Sequence, residues 1–129
     1  MSAIQLTLSL LPETLAVCRL SQEENIPGWA TKGEFYSVTR TADELSIVCD
    51  AANIPPEVQR EENWRCLKIA GTLDFSMIGI LSSLTTSLAE AEISIFAIST
   101  FDTDYLLVKS DKLKKAIAVL SSTGHRVNI

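Results

Sequence analysis

With 129 residues, 47% of them hydrophobic and 21% charged, the chain has the composition of a globular protein, long enough for one good core or two small fused ones. Its formal net charge of −5 and its scattered basic residues exclude nucleic acid and anionic membrane as expected partners, because no Lys/Arg stripe offsets the repulsion locally. No apolar run approaches the roughly 18 residues of a membrane span, and the opening stretch MSAIQLTLSLLPET lacks a positive n-region, so a cytoplasmic location is expected.

Ile4, Leu6, Leu8 and Leu10 alternate with Gln5, Thr7 and Ser9, the pattern of a strand with one buried face, and Pro12 ends it. Residues 15–20 form a second short strand. The stretch SQEENIPGWATKGE carries Pro27, Gly28 and Gly33 without periodicity and reads as a loop anchored by Trp29. Residues 35–41 and 44–49 are two strands around an Ala42-Asp43 turn, and Asp50 is placed to cap a short helical segment. Pro55-Pro56 and a polar run then lead into Trp64. Cys18, Cys49 and Cys66 form no CxxC and lie in apolar, strand-like settings, so buried reduced thiols are expected and no zinc site.

Residues 64–109 read as strand, turn, amphipathic helix, strand, tight hairpin, strand. Met77, Leu81, Leu84 and Leu88 recur at the spacing of one buried helix face, with Ile80 and Ala91 beside them. Asp74 and Ser76 can each cap this helix, which places its start near residue 76. After Ala91 the period becomes alternating: Ser94, Phe96 and Ile98 share one face, Ile93, Ile95 and Ala97 the other. Both faces are apolar, so something must cover each of them. Ser110 is expected to cap a last helix with Leu113, Ala116, Ile117 and Leu120 inward and Lys112, Lys114 and Lys115 in water; Gly124 ends it and a short strand follows. The order strand, helix, strand, strand, helix, strand predicts an α+β, ferredoxin-like βαββαβ unit. The first hairpin also repeats in the second: Tyr36, Val38, Thr39, Glu44, Leu45, Ile47 and Val48 lie sixty residues before Phe96, Ile98, Ser99, Asp104, Tyr105, Leu107 and Val108.

The stretches LDFSMIGILSSL and AEISIFAISTFDTDYLLVK resemble an ACT domain of the small-molecule-sensing kind, similar to the variant in the CASTOR arginine sensors and, more distantly, to the regulatory part of aspartate kinases. FYSVTRTADELSIVC resembles the same family more weakly. The resemblance implies a complete ACT domain over residues 63–129 fused to a degenerate ACT-like unit over residues 1–62 that lacks its first helix. It implies a regulatory protein that binds a small amino acid at an inter-unit interface, has no catalytic chemistry or cofactor, pairs as a homodimer and passes ligand occupancy to an unknown partner protein. Glu92 departs from the family, which favours Gly at this helix-to-strand turn; a left-handed Glu there costs roughly 1 kcal/mol or more.

No catalytic constellation emerges from the residues. His125 stands at a helix-strand junction with no nucleophile elbow, and Asp102-Thr103-Asp104 is too short for a calcium loop. The resemblance singles out two loops for ligand binding. The first carries Asp74, Ser76, Met77, Ile78 and Gly79 at a helix N-terminus, where free N–H groups suit a carboxylate. The second carries Thr100, Phe101, Asp102, Thr103 and Asp104, whose carboxylates and hydroxyls suit an ammonium or guanidinium group. Asp102 is expected to face the ligand's positive group, whereas Asp104 takes the place of Glu44 in the first hairpin. Read from composition alone, these are ordinary turn residues, since Asp and Thr favour turns; the resemblance is what favours a ligand site. The alternative function is therefore a structural dimerisation module with a vestigial pocket.

Overall fold

The computed structural model describes residues 5–70 and 80–129. Its strands are β1 (Thr7–Leu10), β2 (Leu15–Leu20), β3 (Ser37–Arg40), β4 (Leu45–Asp50), β5 (Arg60–Ile69), β6 (Ile95–Ser99), β7 (Asp104–Lys109) and β8 (Arg126–Asn128), and its helices are α1 (Ile80–Glu90) and α2 (Leu113–Ser122). The chain divides into two compact units, Glu13–Trp64 and Met1–Pro12 with Arg65–Ile129. The boundary falls inside β5, two residues beyond the expected position. It also assigns the N-terminal strand to the second unit rather than the first.

In the unit Glu13–Trp64 the strand order is β3-β4-β2-β5, antiparallel throughout. Ala16 and Cys18 of β2 and Leu45, Ile47 and Cys49 of β4 are buried on one face, as strand alternation requires. Among the described residues this unit has no α-helix to cover that face. Instead the 21–34 loop crosses it through a 3-10 turn, Gly28–Thr31, which buries Ala30 completely and packs Trp29 on the same cluster. Asp50 caps the next 3-10 turn as expected, its Oδ1 accepting from the Ala52 N–H at 3.0 Å. Leu15 pairs with Trp64 but Val17 with Glu61, so β5 carries one extra residue, and Asn63 takes up this bulge at φ +68°. The Cys49 thiol donates to the Cys18 sulfur within the core; that bond, reinforced by burial, pushes the Cys49 thiol up. All three cysteines are buried thiols outside any disulfide.

The second unit has the ferredoxin-like element order from β5 through α1, β6, β7 and α2 to β8, with strand order β6-β7-β5-β1-β8. The N-terminal strand is inserted into it. β1 pairs antiparallel with β5, Leu8 opposite Ile69, and parallel with β8, Thr7 opposite Arg126. Its apolar face explains the placement: Leu6 and Leu8 join Leu67, Ile69, Leu84, Leu88, Leu106, Val108 and Leu120 in one core. Each such aliphatic side chain contributes roughly 1.5–3 kcal/mol by leaving water. Leu84 and Leu88 are thus the buried stripe the spacing predicts, with Leu81 half-buried beside them. Met77 lies outside the described residues.

Helix ends position the strands that follow. In α1 the Ile93 N–H donates to the Leu88 carbonyl at 3.0 Å and the Glu92 N–H to Ala89 at 2.9 Å, a Schellman motif whose two apolar ends, Leu88 and Ile93, share the core. Its C′ residue, Glu92, stands at φ +61°, so the turn keeps the ordinary shape and carries the strain of a left-handed Glu. In α2 the same motif is closed by Gly124 at φ +99°. The following His125 accepts the Leu6 N–H on Nδ1 at 3.0 Å, fixing its remaining proton on Nε2 and tying α2 to the start of β1. Ser110 is not the N-cap expected of it: it opens a 3-10 turn, Ser110–Lys112, and Lys112 holds the N-cap position of α2.

Glu92 is exposed, so Glu92→Gly removes the backbone strain without losing packing. Allowing for the greater unfolded-state entropy of Gly, urea unfolding should show a gain of about 0.5 kcal/mol. Gly124→Ala should lose about 1 kcal/mol or more in the same assay, because the added Cβ meets nothing within 4 Å and only the positive φ opposes it.

Candidate ligand-binding site

The described part of the site is the hairpin between β6 and β7. Asp74, Ser76, Met77, Ile78 and Gly79 lie outside the described residues. Thr100 and Thr103 close the turn: the Thr100 N–H donates to the Thr103 carbonyl at 2.8 Å, and the Thr100 hydroxyl accepts the Thr103 N–H at 3.3 Å. Phe101 and Asp102 are left at the tip, where Phe101 is 87% exposed. Thr103 turns inward. At 6% exposure it is the buried polar side chain of this unit's described residues, and its hydroxyl donates to the Ile69 carbonyl at 2.7 Å. That bond ties the hairpin to the end of β5, from which the chain enters the other expected ligand loop.

Next to the closing pair, Ser99 stands opposite Asp104. A pair adjoining a hydrogen-bonded one in an antiparallel ladder brings its side chains close, and the Ser99 hydroxyl donates to Asp104 Oδ1. The two carboxylates therefore differ in kind: Asp102 is exposed at the tip, whereas Asp104 is half-buried and oriented. Ser99 was not among the expected site residues. Its role follows from the turn register, which places it across from Asp104.

The same register revises the relation between the two hairpins. In the first, the Thr41 N–H donates to the Glu44 carbonyl at 2.9 Å and the Thr41 hydroxyl accepts the Glu44 N–H at 3.3 Å, the arrangement of Thr100 and Thr103. The geometric offset is accordingly 59 residues, one fewer than the apolar pattern suggested. With that offset Ile47 and Cys49, which face their core, match Leu106 and Val108, which face theirs. An offset of sixty would match core-facing Ile47 to Leu107, on the opposite face of β7. Asp102 thus corresponds to Asp43, the acid of the first turn, and Asp104 corresponds to Leu45 rather than to Glu44. Asp104 is peculiar to the second hairpin.

Residues 59–122 match the family model of an ACT domain. The chain belongs to the ACT domain family. Residues 13–57, ahead of the ACT domain, match a separate model described as an N-terminal domain. A crystallographically determined protein of Agobacterium tumefaciens is 42% identical, covers 97% of this chain and 93% of its own, and superposes with a TM-score of 0.92. The ligand-free regulatory subunit of aspartate kinase from Thermus thermophilus shares the fold at 9% identity, with a TM-score of 0.62 over 95% of this chain and 99% of its own. The cytosolic arginine sensor for mTORC1 subunit 1 of Mus musculus is 30% identical over 139 residues, covering 88% of this chain and 40% of the sensor. This chain therefore spans well under half of that relative.

Among the described residues of the ACT domain no three His, Cys, Asp or Glu side chains come together as metal ligands, and no helix is long and apolar enough to cross a membrane. The site's described chemistry is that of hydrogen-bond acceptors held by a fixed turn. Thr103→Val should cost roughly 1–3 kcal/mol in urea unfolding, because it leaves the Ile69 carbonyl without its donor. Thr103→Ser, which keeps the hydroxyl, should cost clearly less; equal losses would show that packing rather than the hydrogen bond is felt.

Proposed function

We propose that this ACT protein is an amino-acid sensor without enzymatic activity, which binds a small amino acid through residues 74–79 and the 100–104 hairpin and passes occupancy to a partner protein. The observation that carries the reading is the half-buried Asp104 carboxylate, aimed by Ser99 on a hairpin that Thr103 fastens to β5. A carboxylate held in place before the ligand arrives loses less freedom on binding, which favours recognition of an ammonium or guanidinium group. Asp102 adds a second negative charge at the rim. Two acids on one hairpin lean towards a basic amino acid, and the name of the Mus musculus relative, an arginine sensor, agrees. The same name, with its word cytosolic, supports a cytoplasmic location for this protein. In the proposed site Asp74, Ser76, Met77, Ile78 and Gly79 supply backbone N–H groups to the ligand carboxylate.

The reading includes a homodimer. β6 pairs only with β7 among the described strands, and its Phe96 and Ile98 are half-buried on the face away from the core of the unit. An edge strand offers backbone hydrogen-bonding groups to a further strand, and the same edge of a second copy supplies one symmetrically. Light scattering at micromolar concentration should give twice the chain mass; a monomer contradicts the dimer and leaves the ligand site standing.

A thermal-shift screen against the twenty amino acids tests the site. At about one hundred times its dissociation constant, an amino acid that binds only the folded state adds roughly 2.7 kcal/mol. Asp104→Asn, which keeps an acceptor for Ser99, should remove most of that gain, since loss of one partner in a desolvated charge pair costs roughly 2–5 kcal/mol of binding. Asp102→Asn should weaken binding too, and by less if its charge acts from the solvated tip. Unchanged shifts in both variants would take the hairpin out of the site, and no shift with any amino acid would favour the structural dimerisation module.

A further inference from the structure

A cleft lies wholly within the unit Glu13–Trp64, and none of its lining residues belongs to the ACT hairpin. About 410 Å³ in volume, it is bounded by the end of β2, the 21–34 loop and the approach to β5, and Arg19, Glu24, Pro27, Trp29, Pro55 and Glu57 line it. Small-ligand sites run from about 300 to 1,000 Å³. The loop that forms one wall takes the place of the expected helix, and long loops in a compact unit are commonly functional.

This one is held. Arg40 forks onto two loop carbonyls, those of Gln22 and Glu24, the latter at 2.7 Å. Arg60 forks in the same way onto Val58, at 3.1 Å, and Pro55. The Arg19 N–H donates to the Gln59 carbonyl at 3.1 Å, joining the β2 wall to the third segment. The three guanidinium groups near the cleft each donate to backbone carbonyls, that of Arg19 to Asp43, and Arg60 also pairs with the Glu62 carboxylate at 3.7 Å. Glu24 and Glu57 are exposed and form no ion pair among the described residues. The lining therefore offers two carboxylates against the one guanidinium of Arg19, which is drawn to the Asp43 carbonyl, with a half-buried indole and two proline rings.

We propose that this cleft binds a small organic cation, an ammonium or guanidinium group carried on an unbranched aliphatic chain. The carboxylates take the charge, with the indole of Trp29 adding cation–π attraction, while the chain lies along the indole and the proline rings. The net charge of −5 draws such ligands in. The proposal is independent of amino-acid binding at the hairpin.

Agmatine is the probe for a free cation, and N-acetyl-lysine methylamide for a lysine side chain presented by a peptide. Each is titrated into the full ¹⁵N-labelled chain, with the Trp29 indole N–H resonance assigned through Trp29→Phe. The expected result is a saturable shift of the Trp29 indole and of the amides of residues 24, 29 and 57–59 with at least one probe. Agmatine alone acting identifies a free amine as the ligand class, and the lysine derivative acting as well extends it to a protein side chain. The double variant Glu24→Gln/Glu57→Gln, altered only at exposed positions, should bind at least about tenfold more weakly. No saturable shift with either probe, an affinity unchanged in the double variant, or shifts confined to residues 99–104 would overturn the proposal.

Discussion

The closed pair Thr100 and Thr103 determines which way every side chain of β6 and β7 faces. Because side chains alternate along a strand, a slip of one residue would turn Leu106 and Val108 out of the core and bring Leu107 and Tyr105 in. It would also remove Ser99 from Asp104 and Thr103 from the Ile69 carbonyl. The packing of the ACT domain and the geometry of its candidate site thus rest on one turn. The Thr100 hydroxyl reinforces it from both sides, accepting the Thr103 N–H and donating to the Thr103 carbonyl at 3.0 Å.

The rest of this unit is arranged so that the hairpin has a firm support. Leu84 and Leu88 of α1 and Ala116 and Leu120 of α2 lie on the face that Leu106 and Val108 present, and β1 fills the place between β5 and β8. His125 and Arg126 fasten the N-terminal strand there through the N–H and the carbonyl of Leu6. The N-terminal strand is consequently part of the ACT domain's sheet, although the chain returns to that sheet only with β5. In the intervening unit Glu13–Trp64 a loop anchored by Trp29 covers a sheet face that a helix would otherwise cover. A covering loop leaves clefts at its margins where a packed helix would not, which is where the proposed cation site lies.

Local features were the legible ones. The 3.6-residue spacing of Leu84 and Leu88, the tip of each hairpin, the Asp50 cap and the conflict at Glu92 are all properties of residues near one another in the chain. The partner of β1 was hidden because alternation identifies a buried face and says nothing about which core receives it. The apolar pattern does not fix the offset between the hairpins for a related reason: Leu106, Leu107 and Val108 are all buried, so an apolar run matches equally well in either register. Only the turn, where Thr41 and Thr100 bond alike, separates the two. The partnership of Ser99 with Asp104 is hidden in the sequence for the same cause, since it exists only in the register that the turn sets. The extra residue at Asn63 interrupts β5 without any Gly or Pro to announce it.

The central claim is that the ACT hairpin recognises an amino acid through acceptors fixed before binding. Chemical-shift mapping of the full chain during titration with L-arginine tests it most directly, because it locates binding as well as detecting it. The account predicts saturable shifts centred on the amides of residues 99–104, absent in Asp104→Asn. Saturable shifts centred elsewhere, or the same shifts persisting in that variant, would contradict it.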